Sequence, residues 1–390
     1  MSNAPRPIPR LLCQISSLTK LGITTDVLCW QRRKGAVESE KIGCRVEQIC
    51  LPAPKGKPFL IFCMPLLWFL MVKKVLRHSF NVIHCTHLGL LPMAVFLGKI
   101  KKAKVVYDDY DFDSFRITEM MVPPLKPLGK IIAMGIEKIF LRHVDHIFVI
   151  DTAGDTLLQH YRRYTPNVTS IANYPILNQN AFSGTKEIPT NLRKVLGDKT
   201  LIYVGGIEIA KGWNVLLESL NLVRNEIPAV NLVILGDFSD QKQKEQFDHT
   251  VKKYELSSHV QVLGWLPYEQ MIQYIRASQI GMALYQPNPR YRLSKGNARK
   301  IYTYMSCGIP VIGPEFGEIG TILVKEKCGL VVDTTNSRLV ADAILFLLTH
   351  PEELNRMGKN GLEAVTKRYN WENESKKFIA AYRTLLDQLT

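Results

Sequence analysis

Two hydrophobic periods alternate along the 390-residue chain. Short β-rich runs at 24–30 (TTDVLCW), 81–86 (NVIHCT), 103–109 (AKVVYDD) and 146–150 (HIFVI) are separated by stretches with apolar residues three and four apart, such as 125–142. The short runs suit strands, and the longer spacing puts one apolar stripe on a helix. A second series opens near residue 200 with TLIYVGG, then a helix over 211–224, a strand over 231–237, a helix over 240–255 and a strand over 259–264. It continues through a helix over 268–277, strands at 279–285, 310–313 and 329–333 with a helix at 298–306 among them, and three closing helices. This alternation predicts an α/β protein with two open parallel sheets. The expected domains are 1–178 and 199–372, joined by a polar, Pro- and Gly-containing linker at 179–198. A last helix, 373–390, is expected to pack back on the first domain.

The beginning breaks the pattern. Leu11, Leu12, Ile15 and Leu18 follow helical spacing, and Gly22 stands where a helix C-cap glycine belongs. The strand TTDVLCW comes only after that helix, whereas an open β/α sheet starts with a strand. The expectation is a first domain that lacks its first strand.

Composition adds a charge asymmetry. The chain carries a formal charge of +15, and 46% of its residues are hydrophobic. Such values exclude a disordered, collagenous or coiled-coil chain. Residues 1–175 hold 24 basic and 13 acidic side chains, and no acid occurs between Glu47 and Asp108. A basic half points to an anionic partner, nucleic acid or membrane, or else to a solvated face with none. The eight cysteines form no CxxC pair or zinc spacing and sit among apolar neighbours, as reduced, buried thiols do. The N-terminus has no signal-peptide pattern, and the reading is cytoplasmic. Pro58 to Val72 is an uncharged run of 15 residues flanked by Lys55, Lys57, Lys73 and Lys74. It is shorter than the roughly 20 residues a spanning helix needs. Two readings stay open: a buried helix, or one lying in a membrane interface with Trp68, Lys73 and Lys74 at its edge.

Two segments carry candidate chemistry. In LIYVGGIEIAKGWNVLLESL (201–220), a strand runs into Gly205-Gly206, and Lys211-Gly212 opens a helix. Glycines let backbone amides approach a phosphate, while a helix N-terminus and a lysine supply positive charge. The segment is neither a P-loop nor GxGxxG. In KIYTYMSCGIPVIGPEFGEIG (300–320), a helix ends at Gly308 and Ile309-Pro310 leads into a strand. That turn is expected to present amides at the carboxyl edge of the sheet.

These segments, in this order, resemble the C-terminal domain of retaining GT-B glycosyltransferases of family four, the glycosyl transferases of group 1. HVQVLGWLPYEQMIQYIRASQIGMALY, CGLVVD and the closing helices are similar to further blocks of that family, as are VIHCTHLGLLP, VVYDDYD and DHIFVID in the first half. The resemblance implies a GT-B fold of two Rossmann-like domains facing across a cleft. It also implies transfer of a sugar from a nucleoside-diphosphate sugar with retention of configuration. Donor contacts would come from Gly205, Gly206, Lys211, Lys300, Thr303, Gly308, Ile309 and Pro310. Lys211 and Tyr110 are the candidate catalytic residues, Tyr110 as a wall beside the reacting sugar, and His84 and His87 are candidates on the acceptor side.

No metal or other cofactor is expected, because Lys211 and a helix dipole would do its electrostatic work. The Asp-x-Asp pairs among Asp109, Asp111 and Asp113 read as loop caps. The chain departs from the family where Gly206 replaces an arginine, where Lys295 and Thr303 replace two glutamates, and where Tyr110 replaces a histidine. The basic half fits a lipid-linked or polysaccharide acceptor and peripheral attachment to the cytoplasmic membrane face, in cell-surface polysaccharide or glycolipid synthesis, better than nucleic acid. The alternative is a catalytically inactive GT-B protein serving as a scaffold in glycan assembly.

Overall fold

The computed structural model describes residues 8–31, 44–53, 60–110, 123–150, 156–177 and 199–388, with breaks at 239, 289–290 and 293–298. Within 111–122 and 178–198 it describes only isolated positions. Two compact units emerge, one of residues 1–173 with 373–390 and one of residues 174–372.

The N-terminal unit opens with helix α1 (Pro9–Lys20), then the parallel pair β1 (Asp26–Gln31) and β2 (Arg45–Cys50). Helix α2 (Leu60–Val75) leads to β3 (Val82–Cys85), α3 (Leu91–Lys101) to β4 (Lys104–Asp109), α4 (Lys126–Phe140) to β5 (His146–Val149), and α5 (Thr156–Arg162) to β6 (Val168–Ser170). Strands β3-β4-β5-β6 form a second parallel sheet in sequence order. Among the described residues the first element is thus a helix. Leu67 and Met71 of α2 enter the core with Trp30, Leu97, Tyr107 and Val149.

A buried ion pair holds α1 to the sheet. Arg10 donates to Asp108 Oδ1 at 2.8 Å and Oδ2 at 2.9 Å, and also to Ile171 O and Asn173 Oδ1, each at 2.9 Å. Gln14, one helical turn on, donates to Asp108 Oδ2 at 2.7 Å. Burial opposes ionisation of Asp108, but the Arg10 guanidinium and His84 outweigh it and hold the carboxyl well below the usual range. The next carboxylates are caps: Asp109 accepts from the Asp113 amide and the Tyr161 hydroxyl, and Asp113 from the Leu88 amide. Asp111 lies outside the described residues.

The C-terminal unit is one six-stranded parallel sheet, ordered β12-β11-β10-β7-β8-β9. Its strands are β7 (Thr200–Val204), β8 (Asn231–Leu235), β9 (Val260–Val262), β10 (Ile280–Met282), β11 (Val311–Pro314) and β12 (Gly329–Val332). The helices are α6 (Trp213–Glu226), α7 (Gln241–Lys253), α8 (Tyr268–Arg276), α9 (Arg299–Ser306), α10 (Gly317–Glu326), α11 (Ser337–Thr349) and α12 (Pro351–Lys367). Strand β7 is buried throughout, as its continuous apolar run requires in a sheet covered on both faces. Asp240 caps α7 and Asn336 caps α11, each side chain accepting a first-turn amide. The last helix, α13 (Trp371–Asp387), joins the N-terminal unit from residue 373 onward, where Phe378 and Tyr382 pack on Phe148.

Removing one partner of a buried, hydrogen-bonded ion pair leaves the other charge uncompensated. Arg10→Met should therefore cost about 3–5 kcal/mol of N-terminal-unit stability. Urea unfolding followed by Trp fluorescence checks this, and an unchanged midpoint would show that α1 is not held by Asp108.

Candidate functional site

The carboxyl edge of the C-terminal sheet gathers the chemistry. Strand β7 ends in Gly205-Gly206, followed by a short 3₁₀ turn over Ile209–Lys211 and then α6. Gly205 has φ +117°, which favours glycine. Gly212 has φ +76°, and a Cβ there would stand 2.2 Å from the Leu284 carbonyl oxygen. Only glycine lets the α6 N-terminus approach the end of β10 so closely. Tyr203 fixes the loop from below, its hydroxyl donating to Gly206 O at 2.8 Å.

Two lysines converge on this turn. Lys211 Nζ stands 3.3 Å from where a Gly206 Cβ would be, and donates to Glu208 Oε1 at 2.8 Å. Lys300, in the first turn of α9, arrives from the far side, with Nζ 3.9 Å from the corresponding position on Gly205. Its ammonium is buried, lies 4.0 Å from the centre of the Tyr203 ring and 4.9 Å from that of Tyr285, and has no hydrogen-bond partner among the described residues. Burial pushes Lys300 well below the usual lysine range, and the charge of Lys211 pushes it the same way. The two aromatic faces recover part of the lost hydration through cation–π attraction. What remains is a glycine turn flanked by two lysine side chains, Lys211 paired with Glu208 and Lys300 set against two rings, an arrangement suited to approach by a phosphate group. Among the described residues no group of three or more His, Cys, Asp or Glu is placed to hold a metal.

The other expected donor contacts fall differently. Thr303 is buried in α9, where its hydroxyl donates to the Arg299 carbonyl at 3.1 Å. Gly308, Ile309 and Pro310 do not lie at the carboxyl edge as the sequence pattern suggested. Val311 pairs with Gly281 and Gly281 with Ile202, so this turn precedes the level of Ile202 while Gly205 lies three residues beyond it. At about 3.3 Å per residue, the Gly-Gly turn and the Gly308–Pro310 turn are more than about 10 Å apart along the strands. The amides of Gly308 and Ile309 donate to Met305 O and Tyr304 O, closing α9. A turn that leads into a parallel strand must lie at its amino edge. Lys295 lies outside the described residues.

In the N-terminal unit, Tyr110 follows β4 and is half-buried. His84 Nδ1 lies 2.7 Å from the Tyr382 hydroxyl, and burial lowers its pKa despite Asp108 nearby. His87 accepts from the Gly89 amide at 3.0 Å. Trp68 turns inward and donates to Gly89 O at 3.0 Å, Lys73 is exposed, and Lys74 pairs with Glu47 at 3.1 Å. Tyr203, Tyr285 and Glu208 were not legible as site residues, since only the fold brings them to the two lysines.

Residues 184–364 match the family described as glycosyl transferases group 1. The chain is 25% identical over 210 residues to D-inositol 3-phosphate glycosyltransferase of Corynebacterium urealyticum, covering 52% of this chain and 48% of that protein. It is 25% identical over 188 residues to phosphatidyl-myo-inositol mannosyltransferase of Mycobacterium leprae, covering 48% and 47%. The chain thus spans about half the length of the curated relatives it matches. Among solved structures, Anabaena Alr3699/HepE in complex with UDP and glucose aligns with a TM-score of 0.73 at 16% identity, over 98% of this chain and 97% of that one. Sucrose-phosphate synthase of Thermosynechococcus elongatus aligns with a TM-score of 0.70 at 18% identity, over 96% and 92%. The chain resembles the group 1 glycosyltransferases in sequence and has the GT-B fold, with two Rossmann-like units.

A buried ammonium destabilises the fold that holds it. Lys300 bears its full burial cost where it is charged in both states, and that cost fades as pH rises from its lowered folded value towards about 10.4. Lys300→Met should therefore raise stability by about 1–3 kcal/mol near neutral pH, with the gain shrinking in alkali. Thermal melts of both chains from pH 6 to 10 check this; a less stable variant at neutral pH contradicts it.

Proposed function

We propose that the chain is a glycosyltransferase using a nucleoside-diphosphate sugar. The observation that carries this is the convergence on the Gly205-Gly206 turn of Lys211 and of Lys300, whose buried ammonium has no hydrogen-bond partner among the described residues. A donor diphosphate at this turn would supply the hydrogen-bond acceptor that Lys300 lacks among the described residues. The second lysine also answers the departure at Gly206, because it brings from α9 the positive charge that an arginine would bring within the loop. In the reading with retention, the acceptor oxygen bonds to the anomeric carbon on the face from which the diphosphate leaves. The departing phosphate oxygen takes the acceptor proton, and Lys211 and Lys300 hold the developing charge without a metal.

The acceptor side of this proposal rests on an inverted helix. In α4 the buried positions are Gly129, Ala133 and Glu137, while Leu128, Ile131, Met134 and Ile139 face out, Ile131 at 67% exposure. Helix α3 packs against both α2 and α4, and they add exposed Phe96, Ile100, Leu66 and Phe69. Exposed Lys73, Lys99, Lys130 and Lys138 lie on the same three helices. No helix among the described residues is long and apolar enough to cross a membrane. Large apolar side chains outside, with lysines among them, suit a helix layer resting on an anionic lipid surface. A lipid-linked acceptor, in cell-surface polysaccharide or glycolipid synthesis, would be presented there.

Thermal shifts against UDP, GDP, CDP and their sugars test the donor site. A ligand at 100 times its dissociation constant should stabilise the chain by about 2.7 kcal/mol, and Lys211→Ala and Lys300→Met should each remove most of that shift. No shift with any nucleotide would leave the inactive-scaffold reading in its place. Flotation with phosphatidylglycerol vesicles tests the surface: the parent chain should float at low salt and Ile131→Glu/Phe69→Glu should not. Equal flotation of the two would remove this face from the proposal.

A further inference from the structure

Lys300 stands where an ammonium group is poorly served. Its Nζ is buried without a hydrogen-bond partner among the described residues. It belongs to the first turn of α9, where the helix dipole opposes a cation. The charges acting on it come from the turn after β7: Lys211 repels an ammonium and Glu208 attracts it. The Glu208 carboxylate is engaged elsewhere, accepting from Lys211 Nζ at 2.8 Å. The titratable rings beside Lys300 are Tyr203 of β7, its centre 4.0 Å from Nζ, and Tyr285 after β10, at 4.9 Å. Burial pushes the Tyr203 phenol well above its ordinary range, so it brings no phenolate, and its hydroxyl donates to Gly206 O. Ring faces attract a cation, but a hydrogen bond to them is weak.

An amine in these surroundings changes its favoured form with its occupant. Burial and the charge of Lys211 both favour the neutral amine. A phosphate oxygen over the Gly205-Gly206 turn would bring an acceptor and an opposite charge, and both favour the ammonium. The side chain is near enough to meet it: Lys300 Cε and Nζ stand 3.8 and 3.9 Å from where a Gly205 Cβ would be.

We propose that Lys300 is a proton-linked clamp for the diphosphate, a neutral amine that takes a proton from solvent as the ligand binds and returns it as the ligand leaves. This rests on the donor reading above and adds the charge state of the site. The nitrogen lone pair takes the proton, giving an ammonium–diphosphate pair, and no covalent bond to the ligand forms. Affinity then falls as pH rises. Between the free and bound values of Lys300, each unit of pH should weaken diphosphate binding by about tenfold. A nucleoside without phosphate brings no anion and drives no uptake.

Calorimetric titration of the full chain with UDP, GDP and CDP tests this, from pH 7 to 9 in two buffers of different ionisation heat. The secondary phosphate, with a pKa of about 6, is largely ionised throughout. A nucleotide that binds should take up protons increasingly with pH, approaching about one per molecule by pH 9. Lys300→Arg, whose guanidinium stays charged, should bind without that rise. Lysine spectra of the chain labelled with carbon-13 at Cε, with the Lys300 signal identified by its loss in Lys300→Met, give a second reading. They should show Lys300 neutral at pH 9 in the free chain and charged with the nucleotide bound. Binding without uptake, an equal rise in Lys300→Arg, or a charged Lys300 in the free chain at pH 9 overturns the clamp and leaves the donor reading standing. No binding of any of the three nucleotides removes the donor reading and the clamp with it.

Discussion

A parallel sheet sends every strand the same way, so its chemistry collects at one edge. In the C-terminal unit this constraint decides which residues can meet. The turn after β7 and the first turn of α9 are 95 residues apart between Gly205 and Lys300, yet both stand at the carboxyl edge because β7 and β10 are neighbours. The same constraint separates the Gly308–Pro310 turn from them, because that turn lies where β11 begins. Proximity in a motif thus gives no guide to proximity at the site.

Within that edge, the site holds an energetic conflict. Lys300 gives up hydration for two aromatic faces and gains no hydrogen bond among the described residues. Lys211 is better satisfied, through Glu208. Burial and the charge of Lys211 both oppose protonation of Lys300, so the fold bears a cost at this position. The lysines that meet at the Gly205-Gly206 turn thus come from two different elements, Lys211 from the turn after β7 and Lys300 from α9.

The N-terminal unit shows the converse arrangement. Arg10 and Asp108 are buried together and mutually satisfied, with Gln14, Asn173 and Ile171 completing the shell. This network anchors α1 to the end of β4, while β1, the strand that α1 leads into, stays apart from β3. Helix α4 reverses the usual distribution: its small residues and Glu137 face in, with the carboxylate 3.0 Å from His160 Nε2. The helical spacing of 125–142 was legible, but not which stripe faces inward, because both stripes contain apolar residues.

The sequence by itself determined the β/α alternation, the two series, the helix that precedes the first strand and the Gly205-Gly206 and Lys211 cluster. Each of these depends on contacts within a few residues or on a repeating period, and both are written in local order. The tertiary structure alone decided that Lys300 is buried against Tyr203 and Tyr285, that Trp68 turns inward, and that Gly308–Pro310 faces the other edge. Those outcomes depend on strand order and register, which bring distant segments level with one another and leave no local trace. The opening helix belongs to both: its spacing announced it, and the buried pair of Arg10 with Asp108 fixed where it packs.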